Sequence, residues 1–147
     1  MYVEGLLSVA RERLVTMAGD ASLTEAARLL HKGTDLVLVR SSAGQLIGVV
    51  TKTDIVGHMS RYHGVDSAVA DSLAMTRDIV VCRPDEPLVD VWERMKARKI
   101  KNIPVVDKDC RPIGVLHARD ILQALLEESQ DEEALLRDYV MGVGYSN

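Results

Sequence analysis

The sequence has no phenylalanine, one tryptophan and four tyrosines among its 147 residues. Single-stranded nucleic acid is held by stacking bases on aromatic rings, so that class of surface is not expected. Basic charge is also short. There are 18 Lys and Arg against 22 Asp and Glu, a net charge of −4, whereas a phosphate backbone needs concentrated cations. Nucleic acid is therefore not an expected partner. Only two cysteines are present, Cys82 and Cys110, too few for a disulfide framework or a zinc site. They read as reduced thiols, which suits the cytoplasm. No apolar run approaches the roughly 18 residues that a membrane span needs. The opening MYVEGLLSVARERL has no basic leader and carries Glu4 and Arg11 within its apolar stretch, unlike a signal peptide. The expectation is a cytoplasmic protein without membrane contact.

What the sequence does have is an internal repeat. GVVTKTDIV (48–56) and GVLHARDIL (114–122) align without gaps at an offset of 66, and DASLTEAARLL (20–30) aligns with DEPLVDVWERM (85–95) at an offset of 65. One residue is inserted in the second copy, between the helix and the strand that follows. Self-similarity at a fixed spacing indicates one supersecondary unit used twice.

Both copies carry the same pattern of elements. Leu23, Ala26, Ala27 and Leu30, and then Leu88, Val91, Trp92 and Met95, recur at the spacing of one helix face. Ser22 and Glu25 form a capping-box pattern, Pro87 suits a first helical turn, and Lys96, Arg98 and Lys99 suit the negative end of a helix dipole. Two short Val-, Ile- and Leu-rich runs follow each helix, 36–40 and 46–50, then 103–107 and 112–116, bounded by turn residues. Further helices are expected at 52–61 and 118–128, and short strands before each copy at 14–17 and 79–82. Each unit reads β-α-β-β-α. Flanking helices are expected at 3–13 and 131–140. A unit this small cannot bury much apolar surface alone, so the two should share a core with pseudo-two-fold symmetry. The fold class is α/β, with a first repeat and N-terminal helix over 1–66, a second repeat over 67–130, and a C-terminal helix and tail over 131–147.

GVVTKTD (48–54), GVLHARD (114–120), NIPVVD (102–107) and MTRDIVVCRPDEPL (75–88) together resemble the cystathionine-β-synthase (CBS) domain, occurring here as a tandem pair, a Bateman module, over about residues 10–128. His117 stands where the motif has threonine, and Leu38 stands where the second copy has Pro104. The resemblance implies a flat module with clefts between the repeats that take AMP, ADP, ATP or S-adenosylmethionine, and a tendency to form homodimers through the helices. It implies that Asp54 and Asp120 accept hydrogen bonds from ribose hydroxyls, that Thr51 and His117 face phosphate, and that Lys52 and Arg119 lend charge. Adenine would be clamped by backbone and aliphatic groups, with Met17, Val80, Ile103 and Pro104 the candidates. A carboxylate can accept from two vicinal hydroxyls, and a helix N-terminus presents N–H groups to an anion. No cofactor is obligatory in this reading; the nucleotide is a ligand.

Simpler readings stand beside these. Asp54, Asp120 and Thr51 can cap helices with no ligand at all. Pro104 can be an edge-strand residue. His31, His58 and His63 are scattered, and His58 and His63 are five apart rather than at the four-residue spacing of a helical metal pair. Met17, Met59, Met75, Met95 and Met141 suit packing roles, as does Trp92. Cys82 falls in an apolar run and Cys110 in a turn. The cluster Glu127, Glu128, Asp131, Glu132 and Glu133 reads as a solvated helix end. No nucleophile–base motif, zinc spacing or phosphate-cradling glycine loop appears, so the expectation is a nucleotide-sensing regulatory module acting on an unidentified protein, not an enzyme. The alternative is a ligand-free dimerisation or interaction scaffold.

Overall fold

The structure, a computed structural model, describes residues 1–31, 33–62 and 66–141; His63 and the tail from 142 lie outside them. A 3-10 turn at Val3–Leu6 leads into α1 (Leu7–Glu12). The first repeat follows as β1 (Thr16–Ala18), α2 (Leu23–Leu29), β2 (Leu36–Arg40), β3 (Leu46–Thr51) and α3 (Lys52–Tyr62). A 3-10 turn at Val69–Asp71 introduces the second, with α4 (Leu88–Arg98), β4 (Asn102–Val106), β5 (Pro112–His117) and α5 (Ala118–Met141).

The strand pairing obeys the repeat. β2 and β3 are antiparallel, with Leu36 opposite Thr51 and Val39 opposite Gly48. β4 and β5 repeat this 66 residues later, with Asn102 opposite His117 and Val105 opposite Gly114. Each hairpin has its register shift at the same place, after Val39 and after Val105. Helix starts follow the sequence signals. Ser22 Oγ accepts the Glu25 N–H at 3.2 Å, while the Glu25 carboxylate turns to Arg28. Pro87 lies one residue outside the expected first turn, as the N-cap of α4 with extended backbone, and Lys99 closes the helix in the left-handed region at φ 53°.

Two elements differ from expectation. The 79–82 segment is not a strand; it holds only a single parallel bridge, Cys82 to Val105. In the first repeat, β1 pairs parallel with β2, and Leu38 N–H donates to the Val15 carbonyl at 2.9 Å. The equivalent of Leu38 is Pro104, which has no N–H, so the rung is missing and the ladder shrinks. The helices expected at 118–128 and 131–140 are one helix, α5, of 24 residues. The junction Ser129-Gln130-Asp131 contains neither Gly nor Pro to break it.

Among the described residues three apolar clusters form the interior. One is built on the first repeat around Met17, Val37, Val39 and Val50. One is built on the second around Leu88, Met95, Ile103 and Leu116, and includes Val3 and Ala10 from the N-terminus. The third is shared, joining Leu38, Leu46 and Val49 to Val106 and Val115. The N-terminal segment therefore packs on the second repeat, not on the first repeat beside it in sequence. Val3 N–H donates to the Glu86 carbonyl and Leu88 N–H to that of Met1. The inter-repeat segment treats the first repeat the same way, with Val69 N–H on the Ala21 carbonyl and Leu23 N–H on that of Ser67. Gly114 admits this docking: a Cβ there would lie 2.6 Å from Ala10 Cβ and 2.9 Å from its carbonyl carbon.

Candidate functional site

Where the hairpins of the two repeats face each other lies a cavity of about 660 Å³, within the range of small-molecule sites. Its apolar wall comes from both repeats: Leu36 and Val49 from the first, Ile79, Val80, Ile100 and Pro104 from the second. Thr51, Thr53 and Thr76 add hydroxyls. Among the described residues four cations, Lys52, Arg98, Lys99 and Lys101, face it against two acids, Asp35 and Asp78. Asp78 forms an exposed pair with Arg98 at 3.4 Å. The lining is therefore net cationic, which favours an anionic ligand. Pro104 also leaves the Val80 carbonyl without the donor that Val15 has in Leu38, so among the described residues this acceptor has no intrachain partner.

The residues singled out by sequence divide into three groups. Thr51, Lys52, Val80, Pro104 and His117 line the cavity. Met17 and Ile103 do not; both are sealed in the repeat cores, because alternate strand residues point to opposite faces. Arg119 is exposed and off the lining. Asp54 and Asp120 also stand back from it, and both cap helices. Asp54 Oδ2 accepts the Thr51 N–H at 2.9 Å while Thr51 Oγ1 accepts the Asp54 N–H at 3.2 Å. Asp120 Oδ2 accepts the His117 N–H at 2.9 Å. Asp54 borders a smaller hollow of about 230 Å³ with His58 and Arg61.

Asp120 has a second partner, Arg13. Nη2 donates to Oδ1 at 2.9 Å and Nε lies 2.7 Å from Oδ2. Burial alone raises the Asp120 carboxyl, but the Arg13 bond, the His117 N–H and the nearby positive charge outweigh it and hold the group below the usual carboxylate value. His117 is moved down, first by burial, then by the charges of Arg119 and Arg13, against the pull of Asp120 and Asp35. Its Nδ1 accepts the Arg119 N–H at 3.0 Å, so the neutral ring carries its proton on Nε2. Cys82 is buried, and desolvation pushes its thiol up to about 12, which makes it inert.

Arg98, Lys99 and Lys101 were not read as site residues from sequence. The signal was present as the cationic run Lys96-Ala97-Arg98-Lys99-Ile100-Lys101 just before the Pro104 strand, and the helix dipole gave it a sufficient local reason. Among the described residues no group of three or more His, Cys, Asp or Glu is placed to hold a metal ion, and no helix is long and apolar enough to cross a membrane.

Residues 6–61 and 69–127 each match the CBS domain model. The chain belongs to the CBS domain family. Among solved structures it is similar to CBSX2 in complex with AMP, at 26% identity and a TM-score of 0.72, over 87% of this chain and 98% of that one. It is also similar to the CBS domain pair of protein MJ0100 in complex with 5-methylthioadenosine and S-adenosyl-L-methionine, at 25% identity and a TM-score of 0.69, over 85% and 99% of the two chains. Among curated proteins it is 38% identical over 119 residues to homoserine O-acetyltransferase from Methanohalobium evestigatum, a match covering 80% of this chain but 23% of that enzyme. The CBS pair thus spans under a quarter of the enzyme it matches.

Proposed function

We propose that this CBS pair is a regulatory module that binds an adenine nucleotide in the cavity between its repeats. The observation that carries the reading is the lining itself: an apolar wall from both repeats beside four cations. The wall suits a purine, and the Val80 carbonyl can accept from an exocyclic amine. Lys52, Arg98, Lys99 and Lys101 suit a phosphate, with Thr51 and the His117 Nε2–H as further donors. The AMP complex of CBSX2 supports the choice of ligand. The ligand of MJ0100, S-adenosylmethionine, is a cation and gains less from this lining.

A ligand touching both repeats favours the conformation in which they sit at its distance. It shifts the equilibrium only by its differential affinity for the two states, typically about 1–3 kcal/mol. The response passes to an unidentified protein or to the module's own assembly. Val56 and Met59 on α3, with Leu122 and Leu126 on α5, are exposed, and Val56 and Leu122 are repeat equivalents. These apolar side chains support homodimerisation through the two helices, tested by sedimentation equilibrium: a monomer at high concentration overturns that part.

The ligand is tested by calorimetry and thermal shift with AMP, ADP, ATP and S-adenosylmethionine. A nucleotide at 100 times its Kd stabilises the fold by about 2.7 kcal/mol. Lys101→Ala removes one charged bond to phosphate and raises the Kd of AMP by about tenfold to a hundredfold, for a loss of about 1.5–3 kcal/mol. No response to any of the four ligands refutes nucleotide sensing. Unchanged affinity in Lys101→Ala refutes the phosphate assignment.

A further inference from the structure

The repeat symmetry calls for a second cleft, and the chain fills it with one of its own side chains. At the offsets that align Met17 with Cys82 and Leu36 with Asn102, the counterpart of Asp78 is Arg13, that of Lys99 is Gly33, and that of Lys101 is Asp35. Arg13, Gly33, Asp35, Leu36 and Asn102 do line a common hollow, but it holds about 280 Å³ against about 660 Å³ on the other side. The difference follows from what stands at the equivalent positions. Asp78 keeps to the rim, its side chain 91% exposed. Arg13 is partly buried, its side chain 36% exposed, and its guanidinium reaches Asp120, whose side chain is 12% exposed.

We propose that Arg13 is the resident occupant of the second cleft, so that the module takes one nucleotide per chain and the second place opens only when the N-terminal helix withdraws its guanidinium. The proposal rests on the nucleotide reading above and adds its stoichiometry and the residue that sets it. Two further observations support it. The Arg13 Nε is buried beside Asp120 Oδ2 at 2.7 Å yet is not aligned for a hydrogen bond and has no other partner. An optimised ion pair would align both donors. Ala10, three residues before Arg13, sits against Gly114. The two motif carboxylates also differ: Asp120 is paired with Arg13, whereas Asp54 has no ion pair among the described residues. Each Asp120 oxygen already accepts one hydrogen bond, which leaves fewer lone pairs for ligand hydroxyls than an unpaired carboxylate offers.

The test is titration calorimetry of the full chain with adenosine, which needs no cation where Glu12 and Asp35 line the second cleft, wild type beside Arg13→Met, which keeps the aliphatic stem and removes the guanidinium. The expected stoichiometry is one adenosine per wild-type chain and two per variant chain. Two sites in the wild type, or one site in a folded variant, overturns the proposal. If Arg13→Met does not fold, Arg13→Gln carries the same test, since its shorter, uncharged side chain vacates the place of the guanidinium. The carboxyl titration of Asp120, followed by NMR without ligand, separates this proposal from the nucleotide reading. If neither adenosine nor AMP binds either protein, nucleotide sensing fails. An Asp120 titration unmoved by the substitution then overturns the Arg13 contact as well, and an upward shift upholds it.

Discussion

Thr51 and His117 occupy the same place in the two repeats and do the same local work with different atoms. Each receives a capped helix start: Thr51 Oγ1 takes the Asp54 N–H and His117 Nδ1 takes the Arg119 N–H. The exchange makes one of the two caps titratable. His117 in the folded protein is held below its ordinary value of 6.5, so the unfolded chain takes up the proton first as pH falls. The stability carried by the neutral ring is fully present above about 6.5 and is lost as pH drops below that value toward the lower folded one. Protonating Nδ1 also ends its role as acceptor for Arg119. The urea midpoint of the wild type should therefore fall between pH 8 and pH 5.5 by more than that of His117→Asn, whose amide caps without titrating. Equal falls in the two proteins refute this role for His117. At this scale the sequence was legible where chemistry is local: Ser22, Thr51 and the two aspartates all cap as their positions suggest. It was less legible for the cations. Nothing local distinguishes a lysine at a helix end from one facing a cavity formed by residues 50 positions away.

Elements show the same division between local and distant causes. The β2–β3 and β4–β5 hairpins and helices α2 to α4 follow from periodicity and turn residues. The missing strand at 79–82 depends on the N–H that Pro104 lacks, on another element, and so cannot be read from Ile79-Val80-Val81-Cys82 alone. The glycines opposite Val39 and Val105 make a further pair. A Cβ on Gly48 would meet the side chain of Met75, with Cγ and Sδ both at 2.5 Å, whereas one on Gly114 would meet Ala10 down to its backbone. A thioether chain can move to another rotamer, but a backbone carbonyl in a packed helix cannot. Gly114→Ala should therefore lose about 1–3 kcal/mol of stability by overpacking, and Gly48→Ala less, read from urea midpoints. Hydrogen exchange should locate the Gly114→Ala loss at α1. A larger loss in Gly48→Ala would reverse the assignment of which segment can yield.

For the whole molecule, the exchange of flanking segments decides how the two repeats unfold. The pseudo-two-fold pair was legible from the offsets of 65 and 66; which repeat each flank covers was not, because Val3 and Ala10 continue a helical pattern that fits either core. Residues 1–13 complete the second repeat, and residues 66–76 complete the first from the far side of the sequence boundary. The shared cluster around Leu38, Val49, Val106 and Val115 then joins them. Neither repeat can expose its own core without releasing a segment bound into the other half, which is the condition for a single cooperative transition. Trp92, the only tryptophan, packs against the second-repeat cluster and reports on that half alone, while far-UV circular dichroism reports on the whole chain. In urea the two signals should trace one curve with one midpoint. Deleting residues 1–13 should lower the tryptophan midpoint, although the deletion lies about 80 residues from Trp92 in sequence. A tryptophan transition distinct from the circular dichroism transition in the intact chain would mean that the repeats unfold as separate units and that the exchanged segments do not couple them.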